Sequence, residues 1–206
     1  MIDTWLLGLV LGLSAGLAPG PLLAFVISQT LKYNVKEGLK VALAPLITDL
    51  PIILVTLFLL TKLSNFKMAL GMISFLGGAF ILYLSYESVQ TKPLEVTDQE
   101  TKAHSLKKGA LVNALNPHPY LFWFSVGSPT MLKAQAESNL GAVAFVTTFY
   151  ICLVGSKICL ALVVGKSRAF LEGRMYVYTM RVLGVLLFLF ALLLFRDGLR
   201  LIGLSI

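Results

Sequence analysis

The sequence predicts an all-α integral membrane protein with six transmembrane helices, an inverted repeat of three plus three in which helices 1 and 4 are broken at Pro-X-Pro. Three observations carry that reading. The 206 residues are 57% hydrophobic and only 13% charged, whereas soluble domains hold about 25% charged residues. Six apolar runs can be drawn, at about 4–31, 39–61, 68–88, 109–132, 138–165 and 175–202, each near the ~20 residues a spanning helix needs. Finally, Ala18-Pro19-Gly20-Pro21 and Asn116-Pro117-His118-Pro119 interrupt the first and fourth runs, 98 positions apart.

The first run lacks a basic leader and carries only Asp3 as an early charge. It is also longer than the ~7–15 apolar residues of a signal peptide, so it reads as a retained span. Gly8, Gly12, Gly16 and Gly20 fall at every fourth residue along it, a smooth ridge suited to close helix packing. At Gly16 and Gly20, next to the break, glycine also lets the backbone present N–H groups to a ligand. Proline has no N–H and clashes with the carbonyl four residues back, so Pro19 and Pro21 end or kink the helix. In hydrocarbon, freed backbone groups are tolerated only where they are buried in protein or line a cavity.

The second run places Asp49 well inside its span, at a cost of roughly 2.5–3.5 kcal/mol on insertion scales. Such a residue reads as functional by default. Three roles are open: proton carrier, acceptor for a substrate ammonium, or partner of Lys157. The third run carries no candidate chemistry. A polar stretch with Glu95, Asp98 and Glu100 then divides the chain into repeat 1–90, cytoplasmic linker 91–108 and repeat 109–206 of one transmembrane domain.

The fourth run repeats the break, and a shift of 98 lays Leu17-Ala18-Pro19-Gly20-Pro21-Leu22-Leu23 over Leu115-Asn116-Pro117-His118-Pro119-Tyr120-Leu121. An odd number of spans per half sends the second half through the membrane from the opposite side, and matched breaks in such halves point to a transporter site. A half-helix starting near each proline pair presents unpaired N–H donors and partial positive charge, suited to a carboxylate. Asn113 and Asn116 bracket the second break, with Asn116 either capping the helix or touching substrate, and His118 could titrate near neutral pH. Tyr120, Phe122, Trp123 and Phe124 read as packing or lipid-facing residues rather than pocket residues.

In the fifth run Lys157 is too far from either end to snorkel, leaving it as a counter-ion for Asp49 or a carboxylate anchor. Cys152 and Cys159 lie on one face of this helix, too divergent for a disulfide, and read as small packing residues. The sixth run supplies no candidate residue.

The formal charge is +7, but its placement argues against nucleic acid. Lys32, Lys36 and Lys40, then Lys92, Lys102, Lys107 and Lys108, then Lys166, Arg168, Arg174 and Arg181 occupy alternate loops, while Lys62, Lys67, Lys133, Arg196 and Arg200 are on the other side. By the positive-inside rule those three basic loops are cytoplasmic and both termini lie outside. No metal-ligand, nucleophile or nucleotide motif occurs, so neither an enzyme nor a cofactor is expected.

The segments Gly12-Leu13-Ser14-Ala15-Gly16-Leu17-Ala18-Pro19-Gly20-Pro21, Gly38 with the buried Asp49, and Lys108-Gly109-Ala110-Leu111-Val112-Asn113-Ala114-Leu115-Asn116-Pro117 resemble the LysE-type amino-acid exporters, which include the homoserine and threonine exporters. The resemblance spans essentially the whole chain. It implies a small inner-membrane secondary transporter that exports amino acids coupled to the proton gradient. Many members follow Asn-Pro with Lys, where this chain has His118, a titratable group in place of a fixed charge.

The leading expectation is therefore export of amino acids or similar small zwitterions by proton antiport. The residues expected at the substrate are Gly16, Pro19, Gly20, Pro21, Asp49, Asn113, Asn116, Pro117, His118 and Lys157, with Asp49 also the proton-coupling candidate. Partners are the amino acid, protons and the lipid bilayer; the glycine ridge leaves a homodimer open. A metal or other cation exporter of the same shape needs more acid, His or Cys ligands than Asp49 and His118 offer. A thiol-redox carrier needs a cysteine in each half, yet both fall in the second. A scaffold gains nothing from the insertion cost of Asp49 and Lys157.

Overall fold

A computed structural model describes residues 2–59, 66–90, 104–138, 140–167 and 174–203. Among these there is no strand, and helices occupy most of every apolar run. The helices are α1 (Ile2–Leu17), α2 (Pro21–Lys32), α3 (Val35–Ala42), α4 (Ala44–Leu59), α5 (Phe66–Val89), α6 (Ser105–Ala114), α7 (Pro117–Phe122), α8 (Ser128–Glu137), α9 (Gly141–Ser167) and α10 (Arg174–Leu201), with a π-helical turn at Trp123–Gly127 between α7 and α8.

Among the described residues, Val35–Leu57, Gly141–Lys166 and Val177–Leu201 are each long and apolar enough to cross a bilayer. Thr4–Leu17 and Pro21–Lys32, bent by 61° at the first break, add a fourth crossing if taken as one. The residue before a proline disfavours helical geometry, and α1 accordingly stops at Leu17 while an extended Gly20 leads into Pro21. The second interruption falls at Leu115–Asn116, just ahead of its motif, and Pro117 opens α7. Proline suits this first helical position because its missing N–H has no partner there anyway.

Glycines set the helix contacts. Along α1, Gly8 faces Phe145 and Phe149, Gly12 faces Phe149 and Cys152, and Gly16 faces Leu153 and Ser156. Both numbers rise together, so α1 and α9 run parallel at backbone contact. Likewise Gly109 lies on Val41 and Ala44, and Asn113 reaches Thr48 and Asp49, so α6 runs parallel to α3–α4. In contrast, Gly71 meets Ile202, Gly78 meets Phe195 and Gly184 meets Val89, which makes α5 and α10 antiparallel. Their crossing is reciprocal: Phe75 covers Gly198 while Phe195 covers Gly78, the rings 6.2 Å apart. Ser85 adds a buried hydrogen bond to the Gly184 carbonyl at 2.8 Å.

At one end of the molecule Glu87 accepts from Lys32 at 2.7 Å and from Lys108 at 3.1 Å, and Ser105 donates to Gln29 at 2.9 Å. These bonds pin the start of α6, so the stretch read as linker to Lys108 is already helical from Ser105. Lys62, Lys92, Glu95, Asp98, Glu100, Lys102 and Arg168 lie outside the described residues. Cys152 and Cys159 are free thiols.

The glycine contacts differ sharply in what they tolerate. A Cβ at Gly12 would run into the Phe149 carbonyl oxygen, while one at Gly155 would meet nothing within 4 Å. Gly12→Ala is expected to destabilise by about 1–3 kcal/mol, the usual cost of overpacking. Gly155→Ala should be neutral or stabilising by up to about 1 kcal/mol, because it removes a glycine from a helix interior. Unfolding of the two variants in detergent, compared with the parent, checks the contrast.

Candidate functional site

The two helix breaks meet at a cavity of about 450 Å³. Eight of the ten residues expected at the substrate line it: Pro19, Gly20, Pro21, Asp49, Asn113, Asn116, His118 and Lys157. The other two stand behind the wall. Gly16 contributes its carbonyl oxygen to Lys157, and Pro117 is buried at the start of α7.

Asp49 is 4% exposed. Its Oδ1 accepts from Asn113 Nδ2 at 2.6 Å and its Oδ2 from Tyr150 Oη at 3.2 Å. Asn113 Nδ2 also donates to Thr48 Oγ1 at 2.7 Å, and that hydroxyl in turn donates to the Ala44 carbonyl. The carboxylate is thus held by neutral donors from α6 and α9. Hydrogen bonds to a carboxylate are worth more than neutral ones because the acceptor is charged.

Lys157, also 4% exposed, donates from Nζ to the Gly16 carbonyl at 2.7 Å. Gly16 lies in the last turn of α1, where carbonyls lack intrahelical partners and the helix dipole favours a cation. Among the described residues Asp49 and Lys157 form no ion pair with each other. Each has its own hydrogen-bond partner on a different broken helix, and both line the one cavity. Lys157 serves the end of α1, and Asp49 holds the last turn of α6.

The breaks differ in the donors they leave. Gly20 provides no side-chain cap for the first turn of α2, and Leu22 and Leu23 of that turn line the cavity. At the second break Asn116 Oδ1 accepts from the His118 N–H at 3.1 Å, and Pro117 and Pro119 have no N–H to give. The two breaks are therefore not equivalent: the start of α7 has a side-chain cap and the start of α2 has none. His118 points outward, its side chain 63% exposed and its Nε2 3.8 Å from Asp197 Oδ2.

Sequence reasoning missed several neighbours. Tyr150 lies two helical turns before Lys157 on the same face of α9, a spacing that could have flagged it. Nothing local marks Asp197. Phe122 and Trp123, read as packing or lipid-facing, line the cavity. Trp123 is 1% exposed and stands edge-on to Phe149 with ring centres 5.5 Å apart, and Gly127 lets its ring lie flat against the π-helical turn. Phe122 and Trp123 also pack with the buried cluster of Phe145, Phe149 and Leu153, so the packing expected of them holds alongside their place on the cavity wall. Among the described residues no group of three or more His, Cys, Asp or Glu side chains could hold a metal ion.

A family model described as LysE type translocator matches residues 13–198. No curated protein and no solved structure matches the chain.

Removing one partner of a buried hydrogen bond to a charge strands the other, whereas removing both can be nearly neutral. Asn113→Leu should therefore cost about 1–3 kcal/mol of stability, and Tyr150→Phe only about 0.5–1.5 kcal/mol. Adding Asp49→Leu to Asn113→Leu should recover part of the loss. A double-mutant cycle by thermal unfolding in detergent measures the coupling, and a coupling near zero would remove Asn113 as the residue that holds Asp49.

Proposed function

The chain belongs to the LysE type translocator family, a family of membrane transporters, and from that premise we propose that it is a secondary exporter of amino acids or similar small zwitterions, driven by proton antiport across the inner membrane. The observation that carries the proposal is a single cavity, at the meeting of two helix breaks, with one buried acid and one buried base on its wall.

In this reading six spans cross the bilayer as an inverted repeat of three plus three. The helix directions support it: α1 runs parallel to α9, α6 parallel to α3–α4, and α5 antiparallel to α10. Six alternating crossings require those directions, and exchange of the two halves turns the first pairing into the second. The linkage of α2, α5 and α6 through Lys32, Glu87 and Lys108 gathers basic residues at one end. By the positive-inside rule that end is cytoplasmic, with both termini outside.

The substrate carboxylate sits at the first break. There Leu22, Leu23 and Lys157 line the cavity, and the first turn of α2 has no side-chain cap. Asp49 takes the substrate ammonium when the cavity is loaded and a proton when it is empty. Because the two cations compete for one carboxylate, each outward passage of substrate is tied to an inward passage of a proton. The halves rock about the α5–α10 crossing to open the cavity to either side, as in other transporters with paired broken helices. Gly16, Pro19, Gly20, Pro21, Pro117 and Asn116 shape the breaks, and His118 stands at the outer mouth.

In proteoliposomes, Asp49→Asn should reduce flux driven by a pH gradient to background while the unfolding temperature stays near that of the parent. Retained substrate counterflow would assign Asp49 to the proton alone, and loss of both to proton and ammonium together. Undiminished gradient-driven flux would overturn its role.

A further inference from the structure

The cavity wall also bears on which amino acid fits. Its ionisable side chains are Asp49, Lys157 and the outward-turned His118. One acid and one base match the ammonium and carboxylate common to all α-amino acids, and among the described residues the wall holds no second buried acid for a cationic side chain. An unpaired charge inside a low-dielectric site is strongly disfavoured. Of the two wall amides, Asn113 turns its Nδ2 to Asp49 and Thr48, and Asn116 turns its Oδ1 to the His118 N–H. The rest of the wall is hydrocarbon and aromatic, with Phe122 and Trp123 from the fourth span, Phe149 and Leu153 from α9, and Phe190 and Leu194 from α10.

We infer that the cargo is a neutral amino acid with an apolar side chain, of the leucine or phenylalanine kind, its side chain lying against this aromatic and aliphatic wall. The inference rests on the exporter reading above and narrows it. The volume of about 450 Å³ is at the small end of ligand pockets, which suits one amino acid rather than a peptide. Hydrocarbon contact discriminates by about tenfold or more per methylene in a fitted pocket, so the wall ranks cargo by apolar size as well as by charge.

The test is uptake into inverted proteoliposomes containing the full chain, with labelled leucine, phenylalanine, alanine, threonine, lysine and glutamate tried singly and in competition. Leucine or phenylalanine should be carried at least about tenfold better than alanine, threonine, lysine or glutamate. Preferred transport of lysine, glutamate or threonine would overturn the inference and leave the exporter reading standing. Transport of none of the six would sink both. A variant locates the effect: Leu193→Glu adds an acid to the wall, and should raise lysine transport while lowering that of leucine. If that variant fails to reach the membrane, Phe190→Ala serves instead and should weaken leucine while leaving alanine within about twofold. Equal responses of leucine and alanine to Phe190→Ala would separate the wall from the cargo's side chain.

Discussion

A helix that stops within an apolar run leaves carbonyls and N–H groups in need of other partners, and this chain does so twice. The rest of the structure is organised around that constraint. The last turn of α1 is closed by the Lys157 ammonium on the Gly16 carbonyl, and the end of α6 by the Tyr120 hydroxyl on the Ala114 carbonyl. The second half thus supplies the group that finishes the first half's broken helix. In return the first half, through Thr48 and Asp49, holds Asn113 in the last turn of α6. Thr48-Asp49 and Ser156-Lys157 are matching pairs, a hydroxyl followed by an ionisable residue, each facing the turn before a break.

That exchange depends on backbones coming close. Gly8, Gly12 and Gly16 bring α1 onto α9 so that Lys157 can reach a main-chain oxygen, and Gly109 does the equivalent for α6 on α3–α4. The α5–α10 pair is built differently, with a phenylalanine of each helix filling the space left by a glycine of the other. Small residues serve membrane helices in this way because lipid supplies no hydrophobic drive toward association, so packing and interhelical hydrogen bonds must hold them together.

The breaks, the glycine ridge and the two buried ionisable residues were legible because each violates what a lipid-facing helix tolerates. Proline, glycine in register, and a charge amid hydrocarbon are costly unless something compensates, so their presence signals structure. The partners were less legible. A shift of 98 aligns the prolines but not Asp49 with Lys157, and the correspondence emerges only when each is seen against the opposite half's broken helix. Phe122 and Trp123 pack as their residue types suggest, but that they also line the cavity depends on neighbours far along the chain. Tyr150 was overlooked because one tyrosine in a rich apolar run resembles many others.

By itself the sequence determined that this is a helical membrane protein of the translocator kind, where its helices break, and which residues are too polar to face lipid. These are properties of single positions against a known solvent, so the bilayer's chemistry is enough to decide them. The tertiary structure decided that Lys157 bonds to the last turn of α1 and Asp49 to Asn113 in the last turn of α6, that Asn116 caps one helix start while the other has no side-chain cap, and that aromatic rings line the cavity. Those outcomes depend on distances between residues far apart in the chain. They follow from how glycine contacts set the approach of α1 to α9 and of α6 to α4, which no local pattern encodes.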